Sequence, residues 1–342
     1  MKKIIMALLL LLLLVGAYST WELFGPATSF SASRYDLYIH SGASYPEVLD
    51  MIKRDTVLKS PWAFKWLASR MDYPLNVKAG KYELKKDMNL VSILRMLRNG
   101  RQVPVNLTIT KLRTKQDLAS MIGRRFESDS SLFIKFLQNE DSMKNYGLDT
   151  NTAMTVVFPN TYTYYWNSTP TRIFRKIYEQ FETFWTPQNR QFASQHGLNP
   201  YSAYILASIV EEETTKTEDK GKIASVYLNR LDKGMKLAAD PTIKFAMRNF
   251  ELKRIYEKYL SVESPYNTYK YAGLPPGPIC TPSKETIQAV INSPKTNYLY
   301  FVAKADFSGL SNFSETFPEH LKYARQYQKA LDEEMKQADL KK

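Results

Sequence analysis

The chain has 342 residues, 44% hydrophobic and 24% charged, enough for two globular domains and too apolar for a disordered polymer. One cysteine, Cys280, and three scattered histidines, His40, His196 and His320, exclude a disulfide framework and a zinc cluster; no metal or other cofactor is expected, so chemistry must run on carboxylates, hydroxyls, amides or cations. The net charge of +13 favours acidic partners, and nucleic acid, anionic lipid and an anionic polymer all satisfy it.

Lys2 and Lys3 precede an apolar run that includes seven successive leucines, Leu8 to Leu14. Continued through Trp21, Leu23 and Phe24, the run is about 21 residues, or roughly 30 Å of helix, which matches a hydrocarbon core. It reads as a retained single-pass anchor over residues 4–24 behind a cytoplasmic end at 1–3, with Tyr18 and Trp21 at the interface. The competing reading is a cleaved signal peptide, for which Val15-Gly16-Ala17 is a fair match. The two lysines favour an N-terminus inside the cytoplasm, which puts the rest of the chain on the outer face of the plasma (inner) membrane. Nucleic acid is not the expected partner there. The bacterial wall polymer, with its peptide carboxylates, is.

Residues 25–34 are small and polar, a linker leaving the membrane. A short alternating strand follows at 35–40. Ser44-Tyr45-Pro46-Glu47 has the form of a capping box and starts a helix through Val48, Leu49 and Ile52. Trp62, Phe64, Trp66 and Leu67 indicate a second helix, 81–84 a strand, 89–97 a helix closed by Asn99-Gly100, and 103–109 another strand. Residues 35–109 thus form a small β-α-α-β-α-β unit of the kind that binds rather than catalyses. Residues 110–200 are mainly helical, with helices expected at 117–126, 131–137 and 170–184. The aromatic stretch from Phe158 to Trp166 either lines a saccharide groove or is a core strand beside a turn.

Tyr204, Ile205, Leu206, Ile209 and Val210 make a strongly apolar helix that ends in Glu211-Glu212-Glu213-Thr214. Helical spacing puts Glu213 one turn beyond Ile209 and Val210, on the most apolar stripe. A carboxyl group held there is desolvated and keeps its proton, as a general acid at neutral pH must. Three acids in a row also suit a solvated helix end, although acids at a helix C-terminus oppose the dipole. Next come an amphipathic helix through Ile223, Val226, Tyr227, Leu228 and Leu231, a turn at Asp240-Pro241-Thr242, and two proline-held loops, Ser264 to Tyr269 and Ala272 to Ile279, whose amides and hydroxyls suit the walls of a cleft. A hydrophobic strand at 297–303 closes the domain.

Six segments in this order, Ala207-Ser208-Ile209-Val210-Glu211-Glu212-Glu213-Thr214, Ala224 to Leu231, Asp240-Pro241-Thr242, Tyr266-Asn267-Thr268-Tyr269, Gly273 to Ile279 and Tyr298 to Val302, resemble the YceG-like family of endolytic murein transglycosylases. The resemblance implies an α+β fold: one membrane-spanning helix, a small LysM-like α/β module at 35–109, and a larger mixed α+β catalytic part. That part would comprise the middle region at 110–200 and a catalytic core at 201–330, followed by a charged tail at 331–342. It also implies non-hydrolytic cleavage of the β-1,4 bond between N-acetylmuramic acid and N-acetylglucosamine in peptidoglycan glycan strands, leaving 1,6-anhydro ends. The enzyme would end nascent strands at the membrane, beside wall-synthesis enzymes.

Matched to the family motif, Glu213 is the expected catalytic acid and Glu211 a supporting acid, while Glu212, where the family commonly has lysine, is expected to be exposed. Asn229, Asp240, Thr242, Tyr266 and Asn267 carry over as substrate-binding residues. The chain departs from the family at Ser311 and Asn312, where a histidine is expected, and at Thr110-Lys111-Leu112, where the family often has Pro-Glu-Gly. A lysozyme-like muramidase with Asp240 activating water, and a non-catalytic peptidoglycan-binding scaffold, are the competing functions.

Overall fold

The computed structural model describes residues 2–252 and 254–340; Met1 of the expected cytoplasmic end and residues 341–342 of the expected tail lie outside the described residues. The chain forms two compact units. The first comprises Met1–Leu107, Ile122–Asp129 and Thr163–Thr169, and the second Thr108–Met121, Ser130–Tyr162 and Pro170–Lys342.

In the first unit, helix α1 (Lys2–Phe24) is apolar and long enough to cross a membrane, and none of its residues is buried. Strand β1 (Arg34–Ile39), helices α2 (Tyr45–Arg54) and α3 (Pro61–Arg70), strand β2 (Gly80–Lys85), helix α4 (Leu90–Asn99) and strand β3 (Pro104–Ile109) follow in the predicted order. Caps fix the boundaries, at Ser44 and Gly100 as predicted and at Asn89 in addition. Glu47 accepts from the Ser44 amide at 2.6 Å, Asn89 accepts from the Ser92 amide at 2.8 Å, and Gly100 closes α4 in the left-handed region at φ 67°. β1 and β2 are antiparallel, pairing Arg34 with Lys85 through Ile39 with Gly80. Their inward residues Leu37, Ile39, Tyr82 and Leu84 join Val48, Ile52, Phe64, Ile93 and Leu97 in one core. The expected linker is not free. Ala27 donates to Met88 at 2.9 Å and accepts from Lys59 at 2.8 Å, and Ser29 donates to Val57 at 3.0 Å.

The second unit contains helices α5 (Lys115–Gly123, its last residues in the first unit), α6 (Ser130–Leu137), α7 (Glu140–Lys144), α8 (Pro170–Phe184), α9 (Pro187–Ser194) and α10 (Pro200–Glu213). Next come α11 (Thr217–Asp232), α12 (Asp240–Ala246) and α13 (Lys284–Ile291). Strands β5 (Tyr300–Ala303) and β6 (Ser311–Ser314) and helix α14 (Phe317–Leu340) complete it. The segment read as a charged tail therefore begins inside a continuous helix. Strand β4 (Asn160–Tyr165), which like β3 has residues in both units, pairs with β3. The aromatic stretch is the core strand of the two readings: Phe158, Tyr162, Tyr164 and Trp166 are buried, whereas Thr161, Thr163 and Tyr165 alternate outward.

Helix α10 is the axis of this unit. Every residue from Ala203 to Val210 is buried, so it is apolar all round rather than on one stripe. It packs against α11, α12, α13 and the short turn Thr152–Val156. Each fully buried Leu or Ile in such a core contributes about 1.5–3 kcal/mol, which fixes where the helix ends and so where its terminal acids stand.

Candidate active site

Asn199 starts α10 by accepting from the Tyr201 and Ser202 amides at 3.0 and 2.9 Å. The helix stops where Thr214 turns extended, at φ −147° and ψ 145°. Three carboxyl groups thus face the negative end of the helix dipole, which disfavours their ionised forms. The structure relieves each differently.

Glu211 is held as an ion. Burial pushes its carboxyl up, but hydrogen bonds from Thr286 and Lys220 and the Lys220 charge outweigh burial and hold it below the usual carboxylate range. Lys220 Nζ lies 3.1 Å from Glu211 Oε2 and 2.6 Å from Thr286 Oγ1, and Ser283 Oγ donates to the same carboxylate oxygen at 3.3 Å. Glu212, expected to be exposed, is instead largely covered and paired with Lys111 and with Arg113, whose Nη1 is 3.0 Å from Oε2. Two cations of residues 111–113 thus neutralise an acid that the sequence reading leaves exposed.

Glu213 is the one built to hold a proton. Its side chain is only partly accessible, and burial pushes its pKa up to about 7. The Tyr227 hydroxyl donates to Oε1 at 2.6 Å and pulls the value down, Asp240 pushes it up, and Arg230 and Lys244 pull it down. Tyr227 is itself buried on α11, its ring edge-on to Phe301 with centroids 5.9 Å apart. Asp240 is exposed at the first residue of α12 and accepts from the Tyr269 hydroxyl at 2.6 Å. Burial and then the Asp240 hydrogen bond push the Tyr269 phenol above its ordinary value, and the Glu213 charge adds to the effect. Glu213, Tyr227, Asp240, Tyr269 and Arg230 therefore form one electrostatic cluster.

Internal contacts hold the remaining predicted residues. Thr242 is fully buried and shares a hydroxyl pair with Thr268 at 2.8 Å while donating to Ala239 at 2.7 Å. Asn267 is also fully buried: its amide donates to the Leu260 and Val262 carbonyls, both at 2.9 Å, and its oxygen accepts from the Tyr269 amide at 3.0 Å. Asn229 donates to the carbonyls of Thr296 and Tyr298 at 2.9 Å each. These three shape loops around the cluster. Tyr266 packs on Phe245, with centroids 4.6 Å apart, and borders a cavity of about 250 Å³ with Arg113, Lys115 and Arg248. Ser311, at the missing histidine, lies in β6 and donates its amide to Asp219 at 2.6 Å.

Tyr227, Tyr269 and Arg230 escaped the sequence reading. Their signal was present: a phenol on an apolar helix needs a hydrogen-bond partner, and Tyr227 shares the buried face of α11 with Ile223. Arg230 clamps two loops, donating to Leu299 O at 2.8 Å and Leu237 O at 2.5 Å.

A Bacillus subtilis protein named endolytic murein transglycosylase is 31% identical over 328 residues, covering 90% of this chain and 88% of the relative. Relatives of the same name from Streptococcus pneumoniae are 28% identical over 300 residues, and the match spans about half of their length, 53%. A crystal structure of a YceG-like protein from Listeria monocytogenes aligns with a TM-score of 0.56 at 28% identity, covering 85% of this chain and 98% of that one. The YceG-like family matches residues 37–326, which include the helix that carries the proton-holding glutamate and the loops around it, and the chain belongs to that family.

Proposed function

We propose that the protein is a peptidoglycan lytic transglycosylase that cuts glycan strands internally, with Glu213 as its single acid and base. The observation that carries this reading is the Glu213 carboxyl, half-buried, bonded to a neutral phenol and protonated up to about pH 7. The names of the relatives support the same chemistry.

With Oε1 occupied by Tyr227, Oε2 presents the proton to the oxygen bridging N-acetylmuramic acid and N-acetylglucosamine. The C1–O4 bond breaks and the N-acetylglucosamine side leaves as an alcohol. The muramic C6 hydroxyl attacks C1, closing the 1,6-anhydro ring, and its proton passes to the Glu213 carboxylate. No water is consumed, so no second carboxylate is needed to activate one. The attacking hydroxyl is already on the substrate, and proximity replaces a bound nucleophile.

A muramidase reading is favoured by one observation, the exposed Asp240 within the electrostatic field of Glu213. In the transglycosylase reading Asp240 has another role: its charge helps keep Glu213 protonated, and Tyr269 holds it in place. We further assign α1 as the anchor, residues 35–109 as a LysM-like glycan-binding module, the membrane's outer face as the place of action, and nascent strands next to wall-synthesis enzymes as the substrate.

The test is to incubate the purified protein with uncrosslinked glycan strands and weigh the released ends. Anhydro ends are one water lighter than hydrolysed ones. Glu213→Gln is expected to lose activity by about a thousandfold, within the range of removing a general acid. Hydrolysed ends would establish the muramidase, and a fully active Glu213→Gln beside an inactive Glu211→Gln would move the acid to Glu211.

A further inference from the structure

We propose that the outer face of α3 is a membrane-contact surface that binds anionic lipid headgroups beside the point where the chain leaves the bilayer. The proposal rests on α1 being a membrane span. It concerns a different helix, within the first unit.

The inward side of α3, Ala63, Phe64, Leu67 and Ala68, belongs to the core. Its outward residues are Trp62, Lys65, Trp66, Ser69 and Arg70, spaced i, i+3, i+4, i+7 and i+8, so they form one continuous stripe about 12 Å long. Trp62 is 72% and Trp66 45% exposed, whereas Trp166 and Trp185 elsewhere are 8% and 2% exposed. Two large aromatics on one helix face, uncovered and one turn apart, call for a partner. The helix contains no acidic residue, and Arg70 lies over the Trp66 ring at 5.5 Å. Exposed tryptophans interleaved with cations are the composition of a helix lying in the lipid headgroup region.

Position selects the bilayer as the occupant. The α1 helix ends at Phe24, and Ala27, three residues on, accepts from the amide of Lys59, two residues before α3 begins. Trp21, Glu22, Pro26, Lys59 and Ser60 line one small cavity, so the membrane-exit end of α1 and the start of α3 adjoin. The bonds from Ala27 to Lys59 and Met88 leave little slack between them. Trp21, itself 68% exposed, then marks the interface on α1, and Trp62 continues it sideways. Docked this way, the face would fix the orientation of the first unit on the membrane instead of leaving it on a swivel.

The test uses the full chain in nanodiscs of phosphatidylcholine and phosphatidylglycerol, with and without brominated acyl chains that quench nearby tryptophans. Wild type is compared with Trp21→Phe and with Trp62→Phe/Trp66→Phe; phenylalanine removes the reporter and keeps an aromatic surface. Brominated lipid is expected to quench wild type, and each variant is expected to lose its own share of the quenched signal. Lys65→Gln and Arg70→Gln are expected to lower the docked-to-undocked ratio by about fivefold per charge, with the effect vanishing in pure phosphatidylcholine. If only Trp21→Phe changes the quenching, α1 spans the bilayer but α3 faces water, and the proposal falls alone. If neither variant changes it, the anchor reading falls with it. If soluble glycan strands perturb Trp62 and Trp66 while lipid does not, the stripe is a sugar platform and the lipid assignment is overturned.

Discussion

Glu213 and Tyr227 set the acidity of the site between them, because burial raises the carboxyl and the phenol's hydrogen bond partly counters it. Activity is expected to fall as pH rises through about 7, where the proton is lost. Tyr227→Phe removes the lowering influence, so the alkaline limb of the pH–rate profile should move to higher pH while the maximal rate falls about tenfold for want of positioning. A limb that moves to lower pH would show that the phenol mainly stabilises the neutral acid. The same shift has a sign for stability. The folded carboxyl keeps its proton up to about 7, while the unfolded one releases it near 4.5, so the native state binds more protons in that window and loses stability as pH rises through it. The full effect is about 3 kcal/mol above pH 7. Glu213→Gln is therefore expected to be more resistant to urea than wild type at pH 8 and nearly equal to it at pH 4.

Elements matter here mainly as loop clamps. Thr242 and Thr268 tie the start of α12 to the Tyr266 loop, Asn267 stiffens that loop, and Asn229 and Arg230 tie α11 to residues 296–299. The following proline loop is fixed by close approach. A β-carbon at Gly277 would lie 2.5 Å from the Asn151 carbonyl oxygen and 2.9 Å from the Tyr266 hydroxyl. Backbone on one side leaves no room to yield. Gly277→Ala is expected to destabilise by about 1–3 kcal/mol and to lower kcat/KM by displacing Tyr266, as checked by melting temperature and initial rates. An unchanged melting temperature would mean that the loop can shift freely.

For the whole molecule, the charge of +13 has a consequence for a polymer bearing peptide carboxylates. Raising salt from about 0.05 to 0.5 M shortens the screening length from well over 10 Å to under 8 Å. KM for peptide-bearing strands is expected to rise about tenfold while kcat changes little, because the buried Glu213 is screened far less than the surface. Initial rates across a salt series measure both. A constant KM would assign affinity to neutral sugar contacts.

Local signals were legible in the sequence wherever a short segment decides its own geometry. The apolar run of α1, the Ser44 capping box, the glycine closing α4 and the apolar helix ending in three acids all depend on neighbours within a turn or two. Glu213, which the stripe argument picks out, is the acid left desolvated beside a phenol, but α10 is buried all round and not on one stripe, so the stripe itself is not the cause. What pairs with what was not legible. Glu212 reads as exposed until Lys111 and Arg113, about a hundred residues earlier, arrive beside it. Asn267 and Thr242 read as substrate-facing until the fold turns them inward onto carbonyls and a hydroxyl. Residues 25–34 read as a free linker until backbone bonds fasten them to residues 57–59 and 88. Burial and partnership are properties of the assembled core, and a charge or amide separated from its partner by many residues carries no local trace of where it will point.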